Sequence, residues 1–248
     1  MQRLTLPDGI ELAYRHSAGE APTVVFLPGF RSDMTGTKAS FLEEHCRAMR
    51  RGYLRFDYRG HGASSGRFED CCIGDWKVDA LAMLDQVVRG PALLVGSSMG
   101  GWIAVLCARD RVDQVRGLVL LAPAPDFTER LIWKRLDEAG RRRLLEEGMI
   151  REPSPYGEPV PITHHLIEEG RSHLLLDDGP IPIRCPVHIL HGQQDEEVPF
   201  QLSLELAEKL ETPQVTVELV KDGDHRLSRP EDLRRLARVV DEIWDLVR

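Results

Sequence analysis

The hydrophobic positions of this chain alternate between short continuous apolar runs and longer stretches with helical spacing. Continuous runs at 23–27, 93–96 and 117–122 predict strands that are covered on both faces. Shorter or mixed segments at 53–56, 187–190 and 215–220 also predict strands. Helical spacing, with apolar residues three or four positions apart, lies between or after these runs at 37–50, 75–88, 99–109, 200–210 and 230–247. Alternating strands and helices predict an α/β fold with a mostly parallel central sheet and helices on both of its faces.

Two parts of the chain depart from this alternation. Residues 4–6 and 10–14 flank Pro7-Asp8-Gly9 and predict an N-terminal hairpin. Residues 123–185 contain no convincing core strand, but they have helical stretches at 127–147 and 162–174, separated by the proline-rich segment 152–159. Insertions of this size between core elements are more often functional than idle. We therefore interpret 123–185 as a lid, or cap, inserted within a single domain that spans 1–248.

One predicted strand-to-helix turn has the glycine and serine spacing that is typical of a catalytic serine. The apolar run that ends at Gly96 leads almost at once into a helical stretch, and Gly96, Ser98 and Gly100 form the G-x-S-x-G pattern of a nucleophile elbow. A serine on such a turn takes a strained backbone conformation, and side chains two residues away on either side would collide with it. The pattern predicts a nucleophilic hydroxyl on Ser98 rather than on Ser97. A glycine-rich turn without chemistry is the alternative.

A serine hydroxyl needs a general base, and the base needs an acid that orients it. His225 directly follows the last predicted strand, and Asp195 follows the penultimate one, whereas Glu196 and Glu197 are expected to be solvated. The order serine, aspartate, histidine is found in hydrolases of this architecture. We therefore predict Ser98, Asp195 and His225 as catalytic residues, although each partner alone could be a surface or turn residue. We interpret five other histidines as structural or lid residues: His61, His164, His165, His188 and His191.

Two backbone amides are predicted to hold a developing oxyanion. The N–H of Met99 lies at the N-terminus of the helix after Ser98. The second donor should come from the loop after the 23–27 strand, where we choose Phe30, with Arg31 as the next candidate.

Composition limits the possible partners and the compartment. The 248 residues carry a formal net charge of −8, which disfavours nucleic acid or an acidic membrane surface as a partner. No apolar run approaches the ~20 residues that cross a bilayer. The five cysteines lack metal-ligand spacing, and their odd number with vicinal Cys71 and Cys72 suits a reducing compartment. The N-terminus leads directly into a strand, so no signal or transit peptide is visible, and we expect a cytoplasmic protein.

Taken together, these segments resemble the α/β-hydrolase superfamily over essentially the whole chain. The resemblance is carried by the elbow, by the D-x-x-G-x-G-x-S pattern at 57–64, by H-G-x-x-D-x-x-V-P at 191–199 and by Gly223-Asp224-His225. Segments 29–39, 55–58, 95–102, 182–186 and 224–226 are similar to the mitochondrial palmitoyl-protein thioesterase and mycophenolic acid acyl-glucuronide esterase group of that superfamily.

This resemblance implies cleavage of S-palmitoyl thioesters on protein cysteines and of acyl-glucuronide esters. It places the nucleophile, acid and base on Ser98, Asp195 and His225. Pro28 stands where many relatives have histidine, and the targeting sequence of the eukaryotic members is not present, so an organellar location does not follow from it.

We accordingly expect a serine hydrolase, either a carboxylesterase or an acyl-protein thioesterase, that uses no metal and no cofactor. Its substrate would be a small-molecule ester or an acylated protein, and it would be a monomer or homodimer. The candidate substrate-binding residues are Arg31, Phe127, Trp133 and Leu166, although the apolar ones could serve only to seat the lid on the core. Two alternatives remain: a carbon–carbon bond hydrolase or peptidase with the same triad, and a non-catalytic small-molecule-binding member of the fold.

Overall fold

A central eight-stranded sheet organises the chain. The computed structural model describes residues 1–154, 157–177 and 179–248. The strands of the sheet lie in the order β1-β2-β4-β3-β5-β6-β9-β10, in which β1, β2 and β4 pair antiparallel and the remaining neighbours pair parallel. Their bounds are β1 Gln2–Thr5, β2 Glu11–Ser17, β3 Glu20–Leu27, β4 Arg51–Phe56, β5 Ala92–Ser97, β6 Val115–Leu121, β9 Val187–Gly192 and β10 Val215–Val220.

Helices cover both faces of this sheet. Their bounds are α1 Thr37–Ala48, α2 Ile73–Ala82, α3 Met99–Asp110, α4 Glu138–Glu147, α5 His164–Gly170, α6 Gln201–Lys209 and α7 Pro230–Val247. On one face, α1 and α7 bury residues such as Leu42 and Leu236 against the strands. On the other, α2, α3 and α6 bury a larger cluster that includes Trp76, Trp102 and Leu206. The central strands are covered on both sides, with β5 buried at every residue and β6 at all but one, which explains their continuous apolar runs. The edge strand β10 is only partly buried.

This architecture confirms the predicted α/β fold, its mostly parallel sheet and its N-terminal hairpin. The predicted helix at 75–88 differs in its second half, where α2 ends at Ala82 and the chain continues as a π-helical segment, Met83–Val88. The largest difference is a second sheet that the sequence did not predict. In it β7 Met149–Ser154 pairs antiparallel with β8 Gly157–Thr163, within the proline-rich segment.

Proline argues against a strand because it has no backbone N–H to donate. A two-stranded hairpin has an outer edge on each strand where no partner needs that donor, so prolines at 159 and 161 are tolerated. Residues 155 and 156 of the proline-rich segment lie outside the described residues.

The 123–185 insertion connects β6 to β9 and carries α4, β7, β8 and α5. It has a small apolar cluster of its own, formed by Leu144, Ile150, Ile162 and Ile167. Asp126 ties its beginning to its end: the carboxylate is fully buried and accepts hydrogen bonds from the amides of Leu175 and Leu176, each at 2.8 Å. That this insertion works as a lid stays a prediction.

Glu169 of α5 joins the insertion to the N-terminus of α2. Its carboxylate accepts a hydrogen bond from the Gly74 amide at 3.0 Å and lies 2.6 Å from His173 Nε2. Burial raises the pKa of Glu169, but the interactions with His173 and Gly74 outweigh burial and bring it down to about 2. A carboxyl whose pKa is lower when folded stabilises the fold above its unfolded pKa, and this stabilisation is lost as the pH falls.

We expect Glu169→Gln to lower the free energy of unfolding by about 1 to 2 kcal/mol at pH 6, after allowance for the partial exposure of the site. The difference from the wild type should shrink as the pH falls from about 4.5 toward 2. Urea unfolding at several pH values measures it. Glu168→Gln, at an exposed neighbouring position, is the control and should change stability by less. A difference independent of pH would contradict the assignment.

Candidate active site

Ser98 lies between the end of β5 and the start of α3, on a backbone that few residues adopt. Its φ is 55° and its ψ is −119°. A Cβ placed on Gly96 would lie 2.4 Å from the carbonyl oxygen of Gly100, and one on Gly100 would lie 2.1 Å from that of Leu27. Both distances are far below van der Waals contact, so the two glycines are required for the strand, the turn and the helix to meet so closely. The G-x-S-x-G pattern therefore has a steric cause, as predicted, but the crowding is between β5, α3 and the end of β3 rather than with Ser98 itself.

The side chains of Ser98, His225 and Asp195 form one hydrogen-bonded chain. His225 Nε2 lies 3.1 Å from Ser98 Oγ, and His225 Nδ1 lies 2.7 Å from Asp195 Oδ2. An ionised carboxylate only accepts hydrogen bonds, so Nδ1 holds the proton of the neutral imidazole and Nε2 can accept the serine proton. The three residues that the sequence singled out, from β5, β9 and β10, thus meet at the carboxyl edge of the sheet.

Asp195 is held as an anion. Its side chain is fully buried, and burial raises its pKa, but hydrogen bonds with His191 and His225 and from the Val198 amide lower it further than burial raises it. The net effect is a pKa well below the usual value of an aspartate. An ionised acid at this position orients the imidazole and stabilises it when it becomes protonated.

The loop after β3 brings backbone amides to the same place. A Cβ on Gly29 would lie 3.4 Å from the Cβ of Ser98, so this loop lies against the nucleophile. Phe30 and Met99 line one cavity with Ser98, in keeping with the predicted pair of oxyanion donors. The next candidate, the Arg31 amide, instead donates to His61 Nε2 at 3.2 Å. This contact commits that N–H to the protein and leaves Phe30 as the preferred donor.

His61 holds the loop after β3, a role that the sequence analysis did not assign to it. The ring is buried against Phe68 and Trp76, and its Nδ1 lies 3.1 Å from the Arg59 carbonyl oxygen. Because Nε2 accepts from Arg31, Nδ1 must be the nitrogen that carries the proton. Burial lowers the pKa of His61 to about 4, so the ring stays neutral and keeps this acceptor. A signal was available in the sequence, since His61 lies within the 57–64 pattern.

Asp57 supports the same loop from that pattern. One carboxylate oxygen accepts from the Met34 amide at 2.6 Å and the other from the Ala63 amide at 2.8 Å. The aspartate thereby connects the loop after β3 to the loop after β4.

A cavity of about 830 Å³ opens at Ser98. Its walls come from the loop after β3, the start of α1, the loop of His225 and the insertion. The apolar part of the wall includes Phe30, Met99, Phe127, Leu131, Ile132, Leu136, Val160, Ile162 and Val198. Cavities of this volume and character hold small-molecule or acyl ligands.

Two of the four candidate substrate-binding residues, Arg31 and Phe127, line this cavity. The other two lie elsewhere. The ring of Trp133 packs against the guanidinium groups of Arg141 and Arg171, at 5.3 and 5.0 Å from its centroid. Leu166, on α5 of the insertion, is buried in the main core cluster. For these two, the structure agrees with the alternative that apolar residues of the insertion seat it on the core.

Charged groups surround the polar side of the cavity. Lys38 donates from Nζ to the carbonyl oxygen of Arg226, which directly follows His225. Burial, followed by repulsion from Arg226, lowers the pKa of Lys38 to about 8. Glu197 Oε2 lies 4.0 Å from His225 Nε2. His225 therefore has a second carboxylate near its Nε2, and a lysine ammonium binds the residue that follows it.

A separate group of potential metal ligands lies at the start of α2, where Cys72, Asp75 and His165 each bring a ligand atom within 4.8 Å of the others. Asp75 Oδ2 already accepts hydrogen bonds from the backbone N–H of Cys72, at 3.1 Å, and from its thiol, at 3.2 Å. Burial raises the pKa of this thiol, as does the hydrogen bond of its sulfur to Asp75. These contacts explain the cluster as the cap of α2, and we assign no metal to it.

Three side chains aligned for proton transfer, with backbone amides beside them, suit the attack of a serine on an acyl carbonyl. A sequence profile of the alpha/beta hydrolase family matches residues 24–239. The chain belongs to this family and is an enzyme of the hydrolase class.

Two curated proteins are similar to nearly the whole chain. The chain is 38% identical over 247 residues to a mouse protein named palmitoyl-protein thioesterase ABHD10, mitochondrial, covering 99% of this chain and 82% of that one. The human protein of the same name is 36% identical over 244 residues, covering 98% of this chain and 79% of that one.

Solved structures agree with the sequence comparison. Alpha/beta hydrolase domain-containing protein 10 from mouse superposes with a TM-score of 0.92 at 36% identity, covering 100% of this chain and 99% of that one. A putative hydrolase from Agrobacterium vitis S4 superposes with a TM-score of 0.94 at 42% identity, covering 98% of both chains. The resemblance inferred from the sequence motifs is confirmed.

These relatives correct one expectation. We expected a cytoplasmic protein, but the curated relatives that match nearly the whole chain are named as mitochondrial, which contradicts that expectation. The expectation failed because it relied on the absence of a recognisable targeting segment. Among the described residues, no helix is both long and apolar enough to cross a bilayer.

Proposed function

We propose that this enzyme hydrolyses acyl thioesters or carboxylic esters through an acyl-enzyme on Ser98. The observation that carries the proposal is the chain from Ser98 Oγ through His225 to Asp195, with separations of 3.1 and 2.7 Å, at the floor of a largely apolar cavity. This geometry matches the requirements for general-base activation of a serine.

In the first half-reaction, Ser98 Oγ attacks the acyl carbonyl carbon while its proton passes to His225 Nε2. The amides of Phe30 and Met99 stabilise the resulting oxyanion, and each such donor typically contributes about 3 to 4 kcal/mol to lowering the barrier. When the tetrahedral intermediate collapses, the bond to the leaving thiol or alcohol breaks and Nε2 returns the proton to that group. The acyl group remains on Ser98.

In the second half-reaction, a water molecule takes the position of the departed leaving group. His225 Nε2 removes a proton from it, the oxygen attacks the acyl-enzyme, and Ser98 leaves as the alcohol with the proton returned by the imidazole. Asp195 stays ionised throughout and stabilises the transient imidazolium. No metal and no organic cofactor takes part in this scheme.

The 123–185 insertion supplies the lid and the acyl-binding wall in this proposal. Seven of its apolar residues line the cavity: Ala124, Phe127, Leu131, Ile132, Leu136, Val160 and Ile162. An extended hydrocarbon chain would be buried against them with its carbonyl at Ser98. Arg31, on the opposite rim, donates to the Pro159 carbonyl oxygen at 3.3 Å and so lies between the insertion and the oxyanion loop. The names of the relatives, as thioesterases that act on palmitoyl-protein, support a long acyl group.

A fluorophosphonate probe tests the nucleophile directly. We expect covalent labelling of the wild type and none of Ser98→Ala, because the probe needs an activated serine. Ser97→Ala is the matched control and should retain labelling, since residue 97 is the last residue of β5 and not the elbow position. Absence of labelling in the wild type would favour the non-catalytic binding alternative.

A substrate panel then separates the proposal from its catalytic rivals. Acyl-cysteine thioesters and p-nitrophenyl esters with chains from two to sixteen carbons should be hydrolysed, with kcat/KM rising as the acyl chain lengthens. Cleavage of a dienone or a peptide, with every ester and thioester untouched, would instead identify a carbon–carbon bond hydrolase or a peptidase.

A further inference from the structure

A second histidine lies on the far side of the candidate acid. His191, on β9, is fully buried, and its Nε2 lies 3.1 Å from Asp195 Oδ2 and 3.0 Å from the carbonyl oxygen of Val198. Its Nδ1 lies 2.6 Å from the hydroxyl of Ser203, which is also fully buried, on α6. The chain of contacts from Ser98 thus continues through Asp195 into the core and ends at a hydroxyl on the neighbouring helix.

These neighbours fix the tautomer of His191. A carboxylate and a backbone carbonyl only accept hydrogen bonds, so the nitrogen between them, Nε2, must carry the proton. In the neutral ring Nδ1 is then the acceptor, and the Ser203 hydroxyl donates to it. With every partner satisfied, the ring is held in a single orientation with its N–H directed at Asp195.

The carboxylate of Asp195 consequently accepts four hydrogen bonds. Oδ1 accepts from the amides of Glu197 and Val198, at 2.9 and 2.8 Å. Oδ2 accepts from both His191 and His225. A carboxylate with this many donors cannot rotate without losing hydrogen bonds, and its negative charge is spread among them.

We propose that His191, held by Ser203, is a positioning residue for the reaction of Ser98: it fixes the carboxylate of Asp195 and moderates its pull on the protonated His225. The inference rests on the proposed function, since it concerns the same acid. Without the His191 N–H, Asp195 Oδ2 would lose a donor and interact more strongly with the imidazolium. The base would then release its proton less readily and be active only at higher pH.

Other charges face the base and remain constant in the test. Glu197 contributes a carboxylate 4.0 Å from His225 Nε2, and Lys38 on α1 contributes a cation at the Arg226 carbonyl. Asp224 and Arg226 flank His225 on its own loop. None of these residues is altered below, so a change in pH dependence reports on His191 alone.

The key comparison is between His191→Gln and His191→Met. The two side chains are close in size, and only glutamine carries an N–H that can reach the position of Nε2. We expect His191→Met to lose roughly 10- to 50-fold in kcat with little change in KM. The low-pH limb of its kcat/KM profile should move about half a unit to higher pH. His191→Gln should retain kcat within about threefold and the position of the limb.

His188 offers a matched control on the same strand. It is buried on β9 but lies 3.5 Å from Glu218, away from the cavity. His188→Met should lower stability without moving the low-pH limb. If His191→Met lowers only the melting temperature or the fraction of enzyme titrated by the probe, with an unchanged limb, then His191 has a structural role only and the proposal is overturned.

The tautomer gives a readout that does not depend on turnover. In ¹⁵N NMR spectra of the wild type, His191 should show a protonated Nε2 and an unprotonated Nδ1. Ser203→Ala should weaken this preference and lower kcat by several-fold. A protonated Nδ1 in the wild type would overturn the proposal even in an active enzyme. Failure of Ser98 to label or turn over would instead count against the proposed function, leaving the NMR result to be judged separately.

Discussion

Asp195→Asn is expected to lower kcat by about four orders of magnitude while leaving the fold intact. The backbone amides of Glu197 and Val198 donate to Oδ1, so they determine which way the new carboxamide turns. Its oxygen must take that position, and its NH₂ group then takes the position of Oδ2, facing His225 Nδ1 and also His191 Nε2, which keeps the Val198 carbonyl as its acceptor. An amide NH₂ only donates, so Nδ1 has to become the acceptor and the proton of the ring moves to Nε2.

With its proton on Nε2, the imidazole cannot accept the proton of Ser98, and the serine is no longer activated. The measurement is kcat on an ester or thioester that the wild type cleaves, together with the rate of fluorophosphonate labelling. Asp222→Asn, an exposed position that pairs with Arg229, is the control and should keep wild-type kinetics. If Asp195→Asn kept a tenth of the wild-type rate, the acid would have to be another residue, with Glu197 the nearest candidate.

The sequence predicted Ser98, Asp195 and His225 because each follows a strand directly. In a mostly parallel sheet, residues just after the carboxyl ends of the strands meet at one edge, so strand prediction and chain order suffice to bring them together. The same logic placed Phe30 and Met99. These are local features joined by a general rule of topology, and they need no knowledge of individual side-chain contacts.

Other features of the site were not predictable in this way. His191 was interpreted as structural because its role depends on α6 placing Ser203 against one ring nitrogen and on Asp195 folding back to the other. His61 depends on the approach of the loop after β3. Such contacts join residues from different elements, and hydrophobic periodicity carries no information about them. The β7–β8 pair was missed for a different reason. Its prolines argue against a strand in a larger sheet, but β7 and β8 pair only with each other, so their outer edges need no backbone donor.

Gly100→Ala is expected to lower the free energy of unfolding by about 4 kcal/mol or more. The new methyl group would lie 2.1 Å from the carbonyl oxygen of Leu27 and 2.6 Å from that of Pro28. Both are backbone atoms, so no side-chain rotation can relieve the clash. Leu27 pairs with Gly96 in the register between β3 and β5. Moving Leu27 away would break the pairing of the two strands that lead into the loop of Phe30 and into Ser98.

The variant should therefore lose both stability and the geometry of the site. Urea unfolding measures the first, and fluorophosphonate labelling of the same samples measures the second. Gly90→Ala is the control, because a Cβ at residue 90 meets no atom closer than 3.8 Å, and it should leave the unfolding free energy within about 0.5 kcal/mol of the wild type. A Gly100→Ala protein with wild-type stability and labelling would show that α3 can move away from β3. The glycine after Ser98 would then not be needed for close packing, and the steric explanation of the elbow would be wrong.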